Sequence, residues 1–174
     1  MLRSFSSLNE VSVYDNRNQA IGVLEDILIN KQGKTIGFRI DQKGLLLRDH
    51  LLPYPHLLQV KENELTVTNN KNVSSPNWDH YDYVKELMDK PFLSKDEQLL
   101  GIVKDVYFSS DLGNIELIEI TEGWFTDLQE GRKYLHWHDV NYDGQQLVTT
   151  HFTGGGFSDE MPKLHEQKSW ENRL

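Results

Sequence analysis

The chain has 174 residues, 37% hydrophobic and 26% charged, and its 18 Lys and Arg stand against 27 Asp and Glu for a formal net charge of −9. Such a composition is that of an ordinary globular chain of one or two small domains. Its acidity, with no Lys/Arg cluster, weighs against direct binding of a nucleic-acid backbone or an anionic membrane surface. Cys is absent, which excludes disulfides, thiolate nucleophiles and Cys-ligated zinc.

In chain order, the opening stretch MLRSFSSLNEVSVYDN turns polar before it could form the apolar centre of a secretory signal. No apolar run reaches the roughly 18 residues of a membrane-spanning helix. The expectation is a cytoplasmic protein without a membrane span. AIGVLEDILIN then places Ile21, Val23, Ile27 and Ile29 at the spacing of two that marks a strand, with an acidic interruption. A turn at NKQGK and a second alternating stretch, TIGFRID, complete a β-hairpin. GLLL (Gly44 to Leu47) breaks the alternation, and PYPHLLQVKENELTVT closes the first unit.

The Asn-, Ser- and Asp-rich stretch that follows reads as a linker, and beyond it the unit is written again. Without a gap, Leu8 falls on Leu87, Val13 on Phe92, Gly22 on Gly101, Asp26 on Asp105 and Ile27 on Val106. One residue inserted in the second hairpin, whose turn is SSDLGN, brings Gly33 onto Gly113, Phe38 onto Ile118 and Ile40 onto Ile120. Later, His56 falls on His138 and Leu65 on Leu147. The boundaries read as a first copy over 1–70, a linker over 71–84, a second copy over 85–152 and a flexible tail over 153–174. Gly154 to Gly156 open the tail, and a short helix is expected near Lys163 to Trp170. Short strands with turn signals suggest an all-β protein of two small antiparallel barrels in tandem.

A Leu, a polar stretch and then the pattern Leu/Ile-Gly-x-Val/Ile-x-Asp-Val/Ile leading into a hairpin resembles the PRC-barrel family. That family includes the cytoplasmic domain of the photosynthetic reaction-centre H subunit and the C-terminal domain of a bacterial ribosome maturation factor. The motif stands here at Ala20 to Ile29 and at Leu99 to Phe108. The resemblance implies six-stranded barrels that serve as interaction modules, with no catalytic residues to transfer. Two positions depart from the family habit. Where Gly is common, this chain has Glu10 and Asp89, then Asn18 and Glu97, and Asn18 suits a left-handed turn position whereas Glu97 does so less readily.

Gly22, Asp26, Gly101 and Asp105 recur with the fold and read as structural, the carboxylates capping nearby backbone donors or pairing with a base. In YLHWHDV, His136 and His138 lie two apart on an expected strand and could share a metal, with His80, His151 or His165 as third ligand, while Trp137 faces the core. Two His are an incomplete site, so no metal or cofactor is assigned. GLLL and GWFTD occupy equivalent places. Leu45 and Leu46, and above all Trp124 and Phe125, are the candidates for a partner-binding patch. No P-loop, dinucleotide fingerprint or nucleophile elbow is present. The sequence thus points to a non-enzymatic adaptor or scaffold with a protein partner, and leaves homo-oligomer formation open. The alternatives are a role in ribosome or RNA-related assembly through a basic protein, and metal binding through His136 and His138.

Overall fold

The structure, a computed structural model, describes residues 2–42, 50–68, 81–122 and 132–149. The first half contains β1 (Arg3–Ser4), the one-turn helix α1 (Phe5–Leu8), β2 (Ser12–Asp15), β3 (Ala20–Ile29), β4 (Thr35–Asp41), β5 (His50–Pro53), β6 (Leu57–Val60) and β7 (Glu64–Val67). The second half contains β8 (Asp82–Tyr83), β9 (Pro91–Leu93), β10 (Leu99–Phe108), β11 (Ile115–Thr121), β12 (Lys133–His136), β13 (Val140–Tyr142) and β14 (Leu147–Thr149). These strands form two sheets with one plan: β5-β4-β3-β2-β7-β6 in one and β12-β11-β10-β9-β14-β13 in the other. The repeat read from the sequence is thus a repeat of topology, and the protein is all-β.

Each sheet departs from a wholly antiparallel pattern in one place, where β2 runs parallel to β7 and β9 parallel to β14. The end strands of each path, β5 and β6 or β12 and β13, are consecutive in the chain and separated only by a 3-10 turn, Tyr54–His56 or Trp137–Asp139. Pro55 in the first turn suits it, because a fixed φ and a missing N–H cost least where no ladder bond is due.

The long strands β3 and β10 carry the core, and their spacing of two is interrupted. Register shifts lie between Leu24 and Asp26 and between Val103 and Asp105, each a bulge that adds one residue against the partner strand. The bulge inverts the phase. Leu24 and Val103 are completely buried, whereas Ile102 is 38% exposed and Val23 only half-buried. The inward face of β3 therefore runs through Leu24 rather than Val23 before it meets Ile27 and Ile29.

The second departure is the origin of each sheet's seventh strand. β1, from the start of the chain, pairs antiparallel with β10 of the second copy, Arg3 opposite Phe108 and Ser4 opposite Tyr107. β8, which precedes the second copy, pairs antiparallel with β3 of the first, Asp82 opposite Ile29 and Tyr83 opposite Leu28. In the repeat register Arg3 corresponds to Asp82 and Phe108 to Ile29, so the two pairings are one contact made twice. The buried apolar side chains form a continuous cluster that includes Leu24, Ile27 and Phe38 of one copy with Val103, Val106 and Ile118 of the other. A larger shared core suits units this small, which bury too little surface alone.

Candidate functional site

The Gly-x-x-x-Asp pattern of β3 and β10 has a steric half and a polar half. A Cβ on Gly22 would sit 2.1 Å from the carbonyl oxygen of Asp41, and one on Gly101, at φ +152°, 2.6 Å from that of Thr121. Glycine stands where the long strand crosses close to the end of β4 or β11. Four residues on, Asp26 Oδ1 accepts the N–H of Ile27 at 2.8 Å and that of Lys85 at 3.1 Å. Asp105 Oδ1 likewise accepts the N–H of Val106 at 2.9 Å and that of Ser6 at 3.2 Å. Each carboxylate thus fastens the leading segment of the opposite copy. Burial pushes the Asp26 carboxyl above its ordinary range, against the pull of the Lys85 and Ile27 N–H groups and the charges of Lys85 and Arg39.

The hairpin turns meet at the junction of the copies. Thr35 donates its N–H to the carbonyl of Gly113 at 2.9 Å, and Ile115 donates to that of Gly33 at 2.8 Å, with Lys34 bridged to Asn114 between them. The indole of Trp137 covers Gly33, whose missing Cβ would lie 2.3 Å from Nε1, and the Tyr54 hydroxyl stands over Gly113. Tyr54 also donates to the carbonyl of Asp111 at 3.2 Å.

Beside each turn this leaves a crevice with walls from both copies. One, of 310 Å³, lies among Tyr54, Leu57, Leu58, Gln59, Val60, Ser110 and Asp111. Its counterpart of 410 Å³ lies among Lys31, Gln32, Trp137, His138, Val140, Asn141 and Tyr142. Their chemistry differs. The first has Leu58, 54% exposed, and the carboxylate of Asp111, held below its usual range by the Ser109 hydroxyl and the Gly113 N–H. The second carries Lys31 where the first has an acid, and its Tyr142 phenol is raised by burial and by the neighbouring Asp82.

With this geometry in hand, residues 2–73 match the PRC-barrel domain. The first copy is a PRC-barrel domain. The chain is also similar to the uncharacterized protein YrrD of Bacillus subtilis (strain 168), 25% identical over 136 residues that cover 77% of this chain and 78% of that one. The second copy repeats the strand order of the PRC-barrel copy strand for strand.

The partner-patch candidates Leu45 and Leu46 in the PRC-barrel copy, and Trp124 and Phe125 in the second, lie outside the described residues, as do His80, His151, His165 and the tail. YLHWHDV is not a single strand. β12 ends at His136, and Trp137–Asp139 form the 3-10 turn, because the chain must pass there from one end of the sheet path to the other. His136 and His138 stack face to face, ring centroids 5.1 Å apart and 25° between planes. Their faces meet, whereas shared metal ligation needs ring nitrogens converging at about 2 Å from one ion. Among the described residues no group of three or more His, Asp or Glu gathers at metal-binding spacing, and no helix is long and apolar enough to cross a membrane. Trp137 is buried, only 6% exposed, and packs on Tyr142.

Glu97 takes a left-handed backbone after all, at φ 60°, as do Glu10 (65°), Asn18 (60°) and Asp89 (59°). Turn geometry outweighs side-chain preference. Glu97 donates its N–H to the Ser94 carbonyl in the β9–β10 turn, as Asn18 does to Asp15 in the β2–β3 turn, and its left-handed backbone then brings the carbonyl of the next residue, Gln98 or Gln19, back to accept the N–H of Ser94 or Asp15. What sequence reasoning missed are the cross-copy partners, Ser6, Lys85, Tyr54 and Asp111. The one signal available was that Ser6 falls on Lys85 as Asp26 falls on Asp105.

Proposed function

We propose that the chain is a non-enzymatic, cytoplasmic adaptor that binds a protein partner at the junction of its two copies. The observation that carries this reading is the crevice around Leu58, which neither copy forms alone. Its floor is apolar, from Leu57, Leu58 and Val60, and its far wall carries the ionised Asp111. An exposed leucine beside a fixed carboxylate fits an extended segment with one apolar residue followed by a Lys or Arg. The net charge of −9 attracts such a basic segment at long range. The opposite crevice, with Lys31 and Asn141, lacks both features. The aromatic pair Trp124 and Phe125 is the second contact the sequence offers.

The test is photo-cross-linking from position 58 in a lysate of the source cell, with position 99, a still more exposed leucine elsewhere, as control. The expected outcome is a defined partner captured from 58 and lost on Asp111→Ala, with nothing captured from 99. The same products from both positions, or a product indifferent to Asp111, would contradict the crevice. A folded Trp124→Ala/Phe125→Ala variant that keeps the partner would remove the aromatic pair from the interface.

A further inference from the structure

Among the described residues, the backbone contacts that join the two copies occur in equivalent pairs, with the roles of the copies exchanged. β1 pairs with β10 as β8 pairs with β3. Asp105 holds the Ser6 N–H as Asp26 holds that of Lys85. Gly33 and Gly113 each accept a backbone bond from the other copy's β11 or β4, and each lies under an aromatic side chain of the other, Trp137 or Tyr54. This is the pattern of an isologous interface, in which a patch that contacts a second patch is itself contacted by its equivalent, as between the subunits of a two-fold dimer. Here the two subunits are parts of one chain.

We propose that the exchange surface is a self-recognition surface that works in trans: each half of the chain is a binding partner for the other, and the covalent link between them is dispensable to the assembly. Among the described residues, the paired joining contacts come from the leading segments, the hairpin turns and the 3-10 turns, and the cores of the halves run together through Leu24, Ile27, Val103 and Val106. A separated half would leave the amide edge of β3 or β10 unpaired and expose the apolar face its partner covers, and both defects favour recapture of the complementary half. The partner this surface fits is the other half, from the same chain or from a second copy of it. This inference stands independently of the adaptor reading, since it uses neither Leu58 nor the crevice beside it.

A protease site inserted between residues 74 and 75 allows the folded full chain to be cut and then examined by size-exclusion chromatography and native mass spectrometry at micromolar concentration. The expected result is one species at the mass of the uncut chain containing both fragments in equal amount. In the cut protein, Asp26→Ala/Asp105→Ala should weaken the complex at least about tenfold, since each carboxylate holds one amide across the junction. Fragments that elute apart, or that each pair with their own kind instead, would overturn the proposal, and so would a cut complex indifferent to loss of both carboxylates.

Discussion

The two copies share a path and differ in what they place on it. In the first, three neighbouring positions on β3, β4 and β5 are Leu28, Arg39 and Leu51. In the second, the equivalents are Tyr107, Glu119 and Tyr134. Arg39 is partly exposed, pairs with Glu25 at 3.1 Å and lies over the ring of Tyr83. Glu119 is buried, accepts the Tyr107 hydroxyl at 2.6 Å and meets Arg132 at 3.2 Å, and Leu2 packs against the tyrosines beside it. In both places the covering element belongs to the opposite copy: β8 brings Tyr83 and the start of the chain brings Leu2. Residues that hold the path, Gly22 and Gly101, Asp26 and Asp105, recur in pairs, while between the path and its cover a base, Arg39, in one copy stands where the other has an acid, Glu119.

The comparison breaks most sharply at the glycines. Gly22→Ala must push a methyl into the Asp41 carbonyl, and a loss of about 3 kcal/mol is expected in denaturant unfolding. Gly101→Ala should cost a similar amount if the two crossings are equivalent. Next in size is Tyr107→Phe, which leaves the buried Glu119 without its hydroxyl donor and should cost about 2 kcal/mol. Leu28→Ala at the equivalent place removes packing but no such bond, so the loss tied to Glu119 should disappear in a Glu119→Met background, which offers the hydroxyl no oxygen acceptor, only for the second copy.

Asp26→Ala should cost about 1.5 kcal/mol by freeing the Lys85 and Ile27 amides, while Asp26→Asn keeps an acceptor in place. Since burial raises the folded carboxyl above 3.8, its value when unfolded, the stability it contributes is fully present below that pH. It is lost as pH rises through the folded value. The difference between Asp26→Asn and wild type should therefore move in favour of the variant over that acidic window and stay flat above it. The smallest effect has the opposite sign. Thr35 is buried at the junction with its hydroxyl unpartnered among the described residues, where the second copy has Ile115. Thr35→Val should raise stability by about 1 kcal/mol.

The hairpins, the repeat and the recurrence of Gly and Asp were legible in the sequence because each is a local pattern: alternation, a turn residue, a spacing. The phase of β3 was not, since the bulge beside Glu25 leaves Ile21, Val23 and Ile27 at their even spacing while rotating the strand between them. Nor was the left-handed Glu97, because a hairpin turn imposes φ on whichever residue occupies that place. The exchange between copies was the least legible. A strand as short as Asp82–Tyr83 carries no periodicity, and nothing in Asp26 says that one of its donors lies in the other copy. Of the candidate site, His136 and His138 attracted attention by type, whereas Leu58 and Asp111 gain meaning only when the copies are brought together.

That junction is the central claim, and the absence of native Cys makes it directly testable. Lys34 and Asn114 face each other between two backbone bonds in the widely spaced arrangement, where Cα atoms lie about 4.5 Å apart, within reach of a disulfide. In the Lys34→Cys/Asn114→Cys variant, mild oxidation of the folded monomer should close an intramolecular disulfide with little change in stability. Failure to oxidise while folded, or cross-linking only between chains, would contradict the reciprocal junction described for this chain.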